Sequence, residues 1–220
     1  MSLPASTTRT AQSLWDAEAA TFDDEPHHAL DDPLMRSVWW DVLEPVVPPP
    51  PSRVADLGCG TGSLSVLLAE RGHTVVGVDV SPRMLDLARS KARRSDVDVT
   101  FVVGDASAPP VAPVDVIVTR HVVWALDDIA TALDGWFSLL TPGGRLVLVE
   151  GRWHTGAGMP SDRLAELVRR PGVEVEVTPL DDPALWGYPL VDSRYVLVAR
   201  TAPEADTMGG LPQPRASRPS

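Results

Sequence analysis

Cysteine occurs once in the 220 residues, at Cys59, and lysine once, at Lys91. A single thiol excludes an intramolecular disulfide and any cysteine-rich metal site, and it fits a cytoplasmic setting. No run approaches the roughly 18 consecutive apolar residues that a membrane span needs. The opening MSLPASTTRT lacks the apolar centre of a secretory signal. Positive charge is scarce as well: 19 basic against 30 acidic residues leave −11. Binding nucleic acid or an anionic membrane through bulk electrostatics needs the opposite sign, so neither is expected as a partner. No internal repeat is visible. What is present is ordinary for a globular chain, 44% apolar and 22% charged residues, in a length that suits one compact domain. Arginine in place of lysine, together with 22 prolines, points to a GC-rich coding bias.

Residues 1–50 are polar and acidic with scattered aromatics, and the pattern predicts helices over residues 11–22 and from Asp32-Pro33 towards Val42. Four consecutive prolines, residues 48–51, then form a stiff spacer that neither a helix nor a central strand can contain. Beyond it, strands and helices alternate. Strands are predicted at residues 53–57, 74–80, 97–103, 114–118, 145–150, 173–178 and 195–200. Helices are predicted at 64–71, 81–94, 127–140 and 161–169, with a turn at 141–144. The stretch 106–113 is too rich in proline for a crossover helix. Strands apolar on both faces and alternating with helices imply an α/β fold with a parallel sheet covered on both sides. No helical pattern separates the last two strands, which leaves them free to pair antiparallel. Residues 202–220 carry no apolar period and read as a disordered tail. The division is thus a helical appendage (1–50), a central domain (51–201) and a tail (202–220).

The informative stretch is Asp56-Leu57-Gly58-Cys59-Gly60-Thr61-Gly62. Glycines directly after a strand permit backbone torsions that a β-carbon forbids and allow close approach of a ligand to the main chain. Asp79 closes the second strand, where a carboxylate beside the turn can accept both hydroxyls of a ribose. Asp105, after Gly104 and the third strand, lies one strand further out. The spacing is G-x-G-x-G, with Ser63 where the dinucleotide fingerprint has its third glycine. Asp56 would repel a pyrophosphate yet suit an ammonium group, which favours an amino-acid nucleoside over a dinucleotide. Cys59, between two glycines, reads as a small residue that the turn tolerates.

VADLGCGTG, followed by VVGVDVSPRML, GDA and LLTPGGRLVLVE, resembles the class I S-adenosylmethionine-dependent methyltransferases over about residues 15–200. That resemblance implies a Rossmann-like, doubly wound seven-stranded sheet of order 3-2-1-4-5-7-6 with the last strand antiparallel. It also implies S-adenosylmethionine as cofactor. Its methionine end would lie on Gly58, Cys59, Gly60, Thr61 and Gly62 near Asp56. Asp79 would hold the ribose, Val80 and Met84 would pack on the adenine, and Gly104, Asp105 and Ala106 would border its amino edge. Trp15-Asp16-x-x-Ala19-x-x-Phe22-Asp23 is similar to an N-terminal segment of the small-molecule (UbiE-like) branch, whose helix forms a lid over the cofactor. Trp15 and Phe22 stand where that branch has tyrosines, so packing is retained and a hydroxyl contact is not.

The segment Thr119-Arg120-His121-Val122-Val123-Trp124 follows the fourth strand and should border the transferring methyl group. It is not the (N/D)PPY sequence of relatives that methylate adenine or glutamine nitrogens. His121 is a candidate general base; the alternative is a histidine that bonds the backbone or shapes the pocket. Arg120 either contacts a ligand or forms an ion pair. Trp124 is a pocket wall, with an aromatic face able to attract a sulfonium. Arg152, Trp153 and His154 follow the fifth strand and border the mouth, while His27 and His28 read as surface or hinge residues. No acidic cluster has metal-ligand spacing, and Asp127-Asp128 suits a helix N-terminus. The expected function is methyl transfer to oxygen, nitrogen or carbon of a small, flat or acidic organic acceptor in bacterial specialised metabolism, by a monomer or homodimer. The alternatives are a peptide or RNA methyltransferase, or a non-catalytic regulator that binds the cofactor.

Overall fold

Period-two burial explains the sheet. Val116, Val118, Val147 and Val149 sit in one buried layer, and Ile117, Leu146 and Leu148 sit in the other. Strands β4 (Val114–Arg120) and β5 (Leu140–Arg152) therefore fill both faces at once. In a computed structural model describing residues 5–203, they join β1 (Arg53–Leu57), β2 (Thr74–Asp79), β3 (Thr100–Val103), β6 (Val173–Pro179) and β7 (Ser193–Thr201). The order is β3-β2-β1-β4-β5-β7-β6, with β7 antiparallel to both β5 and β6, as the family resemblance implies. The strand order reverses between β1 and β4, which opens a crevice at their carboxyl ends.

Helices α4 (Ser63–Glu70), α5 (Pro82–Arg94), α6 (Ile129–Leu139) and α7 (Ser161–Val168) complete the domain. Ser81 caps α5 by accepting the Met84 N–H, and Asp128 caps α6 through the Thr131 N–H. Ahead of the sheet lie α1 (Ala5–Glu18), a 3₁₀ turn (Phe22–Asp24), α2 (Pro26–Ala29) and α3 (Pro33–Leu43). Asp32 caps α3, whose Met35, Trp39 and Leu43 belong to the same core as Val54 and Val116. The N-terminal region thus shares the core of the sheet.

Several boundaries differ from the sequence reading. The first helix ends at Glu18, because Phe22 and Asp23 are drawn onto the glycine turn in a separate 3₁₀ turn. The third strand starts at Thr100, since the Val97 N–H bonds Ala92 O at the end of α5. The expected turn at 141–144 is a bulge inside β5: Leu140 pairs with Val114, and the next pair is Val116 with Arg145. Gly143 there has φ +76° and donates its N–H to Ala202 O. The expected disordered tail lies outside the described residues from 204 onward.

Candidate active site

A cleft of about 1100 Å³ opens at the crevice between β1 and β4 and runs under the N-terminal segment. Its first half is built by the glycine turn. Gly58 has φ +67°, and a Cβ added there would lie 2.4 Å from Val122 Cγ2, so only glycine lets β1 and the segment after β4 approach this closely. The Asp79 carboxylate accepts the Gly60 N–H at 2.8 Å and the Ser81 N–H at 2.9 Å, which fixes the turn against β2. Burial raises the Asp79 pKa against those N–H bonds. Asp56 accepts the Ser65 hydroxyl at 2.6 Å, and burial lifts its pKa to about 6 while Ser65 and Arg120 pull it back. Burial, with Asp56 and Asp79 nearby, pushes the Cys59 thiol well above its usual range, so no thiolate nucleophile forms at neutral pH.

The N-terminal segment is fastened to this turn by its two acids. Asp16 accepts the Ser81 hydroxyl, and Asp23 accepts the Thr61 hydroxyl at 2.6 Å. Lys91, the sole lysine and 4% exposed, reaches Ser63 Oγ at 2.6 Å, Thr61 Oγ1 and Ala29 O at 3.2 Å, and Asp23 at 3.1 Å. Phe22 stacks on His28 at 4.1 Å between centroids and lies against Gly60. Arg120 donates to His27 O at 2.6 Å, which ties the end of β4 to α2.

The second half is aromatic. His121 sits at φ +60°, 5.1 Å from the Trp153 ring and stacked 5.8 Å from Trp186, with His27 6.4 Å away. Trp124 meets Trp153 edge-on at 5.7 Å. Burial, then the charges of Arg120 and Arg194, hold the His121 imidazole well below 6.5, so it is neutral at physiological pH. Burial takes His27 to about 3 in the same way. Glu150, buried near the end of β5, accepts the N–H groups of Val122 and Val123 at 2.8 and 2.7 Å through one oxygen. Its other oxygen has no partner among the described residues, and burial raises its pKa to about 8.

Of the residues singled out in the sequence, Trp15, Phe22, Asp56, Gly58, Cys59, Gly60, Asp79, Val80, Met84, Asp105, Ala106, Arg120, His121, Trp124, Trp153 and His154 border the cleft. Thr61, Gly62, Gly104 and Arg152 do not. Thr61 serves the lid fastening. Gly62 (φ +78°) lies 2.7 Å from Ala88 by its would-be Cβ, and Gly104 is pressed on Pro110. Arg152 is an exposed strand residue paired with Ser193. His27 and His28 also border the cleft, His27 buried and His28 half-buried in the lid, where the sequence suggested surface or hinge positions. Sequence reasoning missed Glu150, Lys91, Tyr188 and Arg194. The one legible signal was an acid closing the apolar run RLVLVE.

Residues 54–144 match the family model described as a methyltransferase domain. Trans-aconitate 2-methyltransferase of Streptomyces coelicolor is 40% identical over 126 residues, covering 54% of this chain and 40% of that protein. The family-model match includes the glycine turn, Asp56 and Asp79. Residues 54–144 thus form a methyltransferase domain. The aligned part spans about half the length of the curated relatives it matches. Among solved structures, the N-methyltransferase NodS of Bradyrhizobium japonicum, crystallised with S-adenosylhomocysteine, superposes with TM-score 0.67 at 20% identity, covering 86% of this chain and 97% of NodS. The [4+2]-cyclase SpnF superposes with TM-score 0.65 at 20% identity, covering 76% of this chain and 80% of SpnF. These likenesses establish the methyltransferase fold and leave the chemistry to the site. The methyltransferase's glycine cradle and flanking acids fit an adenosyl amino acid: a β-carbon at Gly58 would collide, and two buried carboxylates border one cleft of adequate size.

Proposed function

We propose that the protein transfers the methyl group of S-adenosylmethionine to an oxygen or nitrogen atom of a small organic acceptor. The observation that carries this reading is the pairing of Asp56 and Asp79, two buried carboxylates on either side of a glycine turn, with an aromatic chamber in the same cleft. In this reading Asp56 and the backbone at Gly58 and Gly60 receive the amino-acid end. Asp79 accepts the ribose hydroxyls, since each of its oxygens keeps a lone pair after the backbone bonds. Val80 and Met84 sandwich the adenine beside Asp105 and Ala106, and Trp136 fixes that loop by donating to Ala106 O at 2.7 Å. Trp15 and Phe22 cover the site and exclude water. When bound, the cofactor supplies a methyl group already activated on sulfonium.

The chain itself has to align the acceptor and shelter the reaction, and positioning of this kind supplies much of the acceleration in bimolecular transfers. His121 is neutral and borders the acceptor side, where its imidazole accepts a hydrogen bond from the nucleophilic O–H or N–H. With a pKa held far below 6.5, it orients the nucleophile's lone pair more than it stores the proton. Glu150 holds the adjoining Val122 and Val123 backbone, and so sets where His121 stands. A lidded aromatic cleft suits a small acceptor better than a peptide or RNA. The test is a screen of organic acceptors with methyl-labelled S-adenosylmethionine. Asp79→Ala should lose cofactor affinity, whereas His121→Asn, which tolerates the positive φ, should bind cofactor normally and lose about tenfold or more in turnover. Tight cofactor binding with no label transferred to any acceptor would favour a regulator.

A further inference from the structure

Arg194 stands next to Ser193 at the start of β7 and borders the cleft. It is 5% exposed, and its guanidinium lies 4.2 Å over the Trp186 ring. Its Nε edge is occupied by Asp192 Oδ1 at 3.2 Å. Its terminal fork is nearly idle. Among the described residues Nη2 reaches only the Tyr188 hydroxyl, at 3.2 Å, and Nη1 has no partner. Leaving guanidinium N–H groups buried without an acceptor is costly, and the planar fork matches the two oxygens of a carboxylate. The neighbours reinforce this. His27 lies 5.9 Å from Tyr188, and its Nδ1, like His121 Nε2, is also without a partner. Trp124, Trp153 and Tyr188 supply flat apolar walls, with Trp124 and Tyr188 more than a third exposed.

We propose that the acceptor is a planar aromatic acid whose carboxylate docks on the Nη1/Nη2 fork of Arg194, displacing the Tyr188 hydroxyl, while its ring lies against Trp124 and Trp153. This rests on the methyl-transfer reading only for the identity of the ligand in the other half of the cleft. Asp192 already balances Arg194, so the acid binds a preformed, neutral ion pair. The neutral His27 imidazole offers an N–H donor without competing for the anion, while His121 stays free to accept from the nucleophile.

The full chain saturated with S-adenosylhomocysteine, binding first verified by calorimetry, is titrated with benzoate, 2-naphthoate and quinoline-2-carboxylate and with the amide of each. Quenching of tryptophan fluorescence is the readout. At least one acid should bind roughly 10- to 100-fold more tightly than its amide, the range for a hydrogen-bonded charge. Arg194→Gln should erase that preference, and Tyr188→Phe should keep it. Asp192→Asn, which removes the competing carboxylate, should tighten acid binding, and it decides the matter if Arg194→Gln fails to fold. Equal affinity for acid and amide, no binding of any acid, or a preference that survives Arg194→Gln overturns the proposal while calorimetric cofactor binding stands. Absence of S-adenosylhomocysteine binding overturns the methyl-transfer reading beneath it as well.

Discussion

The two halves of the cleft are built by opposite means. The half proposed for the cofactor comes from one continuous turn and the ends of adjacent strands, held by backbone N–H bonds to Asp79 and by glycines that leave no room for substitution. The acceptor half comes from α2, the segment after β4, the end of β5 and the loop before β7, elements far apart in sequence. Its polar atoms are left partly unpaired: His27 Nδ1, His121 Nε2 and Arg194 Nη1 have no partner among the described residues. A binding half that must always take the same ligand can satisfy itself internally and leave defined lone pairs. A half that selects an acceptor keeps donors in reserve. The contrast teaches where specificity is stored in this fold.

Three changes sharpen or break that contrast, and a fourth serves as control. The largest effect is expected at the seam, where Gly58 meets Val122. Gly58→Ala combines a left-handed backbone with an overlap at 2.4 Å. It should cost about 2–5 kcal/mol in denaturant unfolding and disturb both halves together. Loss of cofactor binding with the His121 segment unmoved would mean that the halves are independent.

Glu150 comes next. Its folded pKa of about 8 stands above the ordinary 4.5 of a glutamate, so the native state holds a proton that the unfolded chain releases. Stability from this group is complete below about pH 4.5 and falls as pH rises towards 8. Glu150→Gln keeps the protonated shape and should flatten that slope. Relative to the parent, the variant should gain on the order of 3 kcal/mol between pH 5 and 8 in urea titrations. A parallel pH profile for the two proteins would show that Glu150 is ionised in the fold. Lys91→Met should cost about 1–3 kcal/mol and raise hydrogen exchange across residues 22–29, because the lid loses its bonds to Asp23 and Ser63. Unchanged exchange there would separate Lys91 from lid closure. The smallest effect belongs to Arg163→Ala, whose partner Glu166 is equally exposed on α7, outside the cleft. It should stay within about 0.5 kcal/mol by thermal unfolding.

The half of the cleft around the glycine turn could be placed from sequence because its determinants are local. An acid and three glycines occupy seven consecutive residues at the end of a strand, and Asp79 follows at the end of the next strand. The sheet was equally legible, since Val116, Ile117 and Val118 must face two apolar layers. The acceptor half was readable only in part. His121, Trp124 and Trp153 stand directly after strands and could be placed at the mouth. Arg194 gave no signal, because it precedes an apolar run after a loop read merely as a connection. Lys91 was noticed for its rarity, yet nothing nearby revealed that α5 would bring it to Asp23 and Thr61. The bulge at 141–144 looked like a turn because Pro142-Gly143-Gly144 is turn chemistry. The Gly143 bond to Ala202 that ties the bulge to the end of β7 joins residues far apart in the sequence.

The central claim is that the turn bounded by Asp56 and Asp79 holds an adenosyl amino acid. Isothermal titration of S-adenosylhomocysteine into the folded protein tests it most directly. The account predicts one saturable site, weakened roughly 10- to 100-fold in Asp79→Ala by loss of a charged hydrogen-bond acceptor. No heat from a protein whose circular dichroism shows it folded, or equal affinity in the variant, would contradict it.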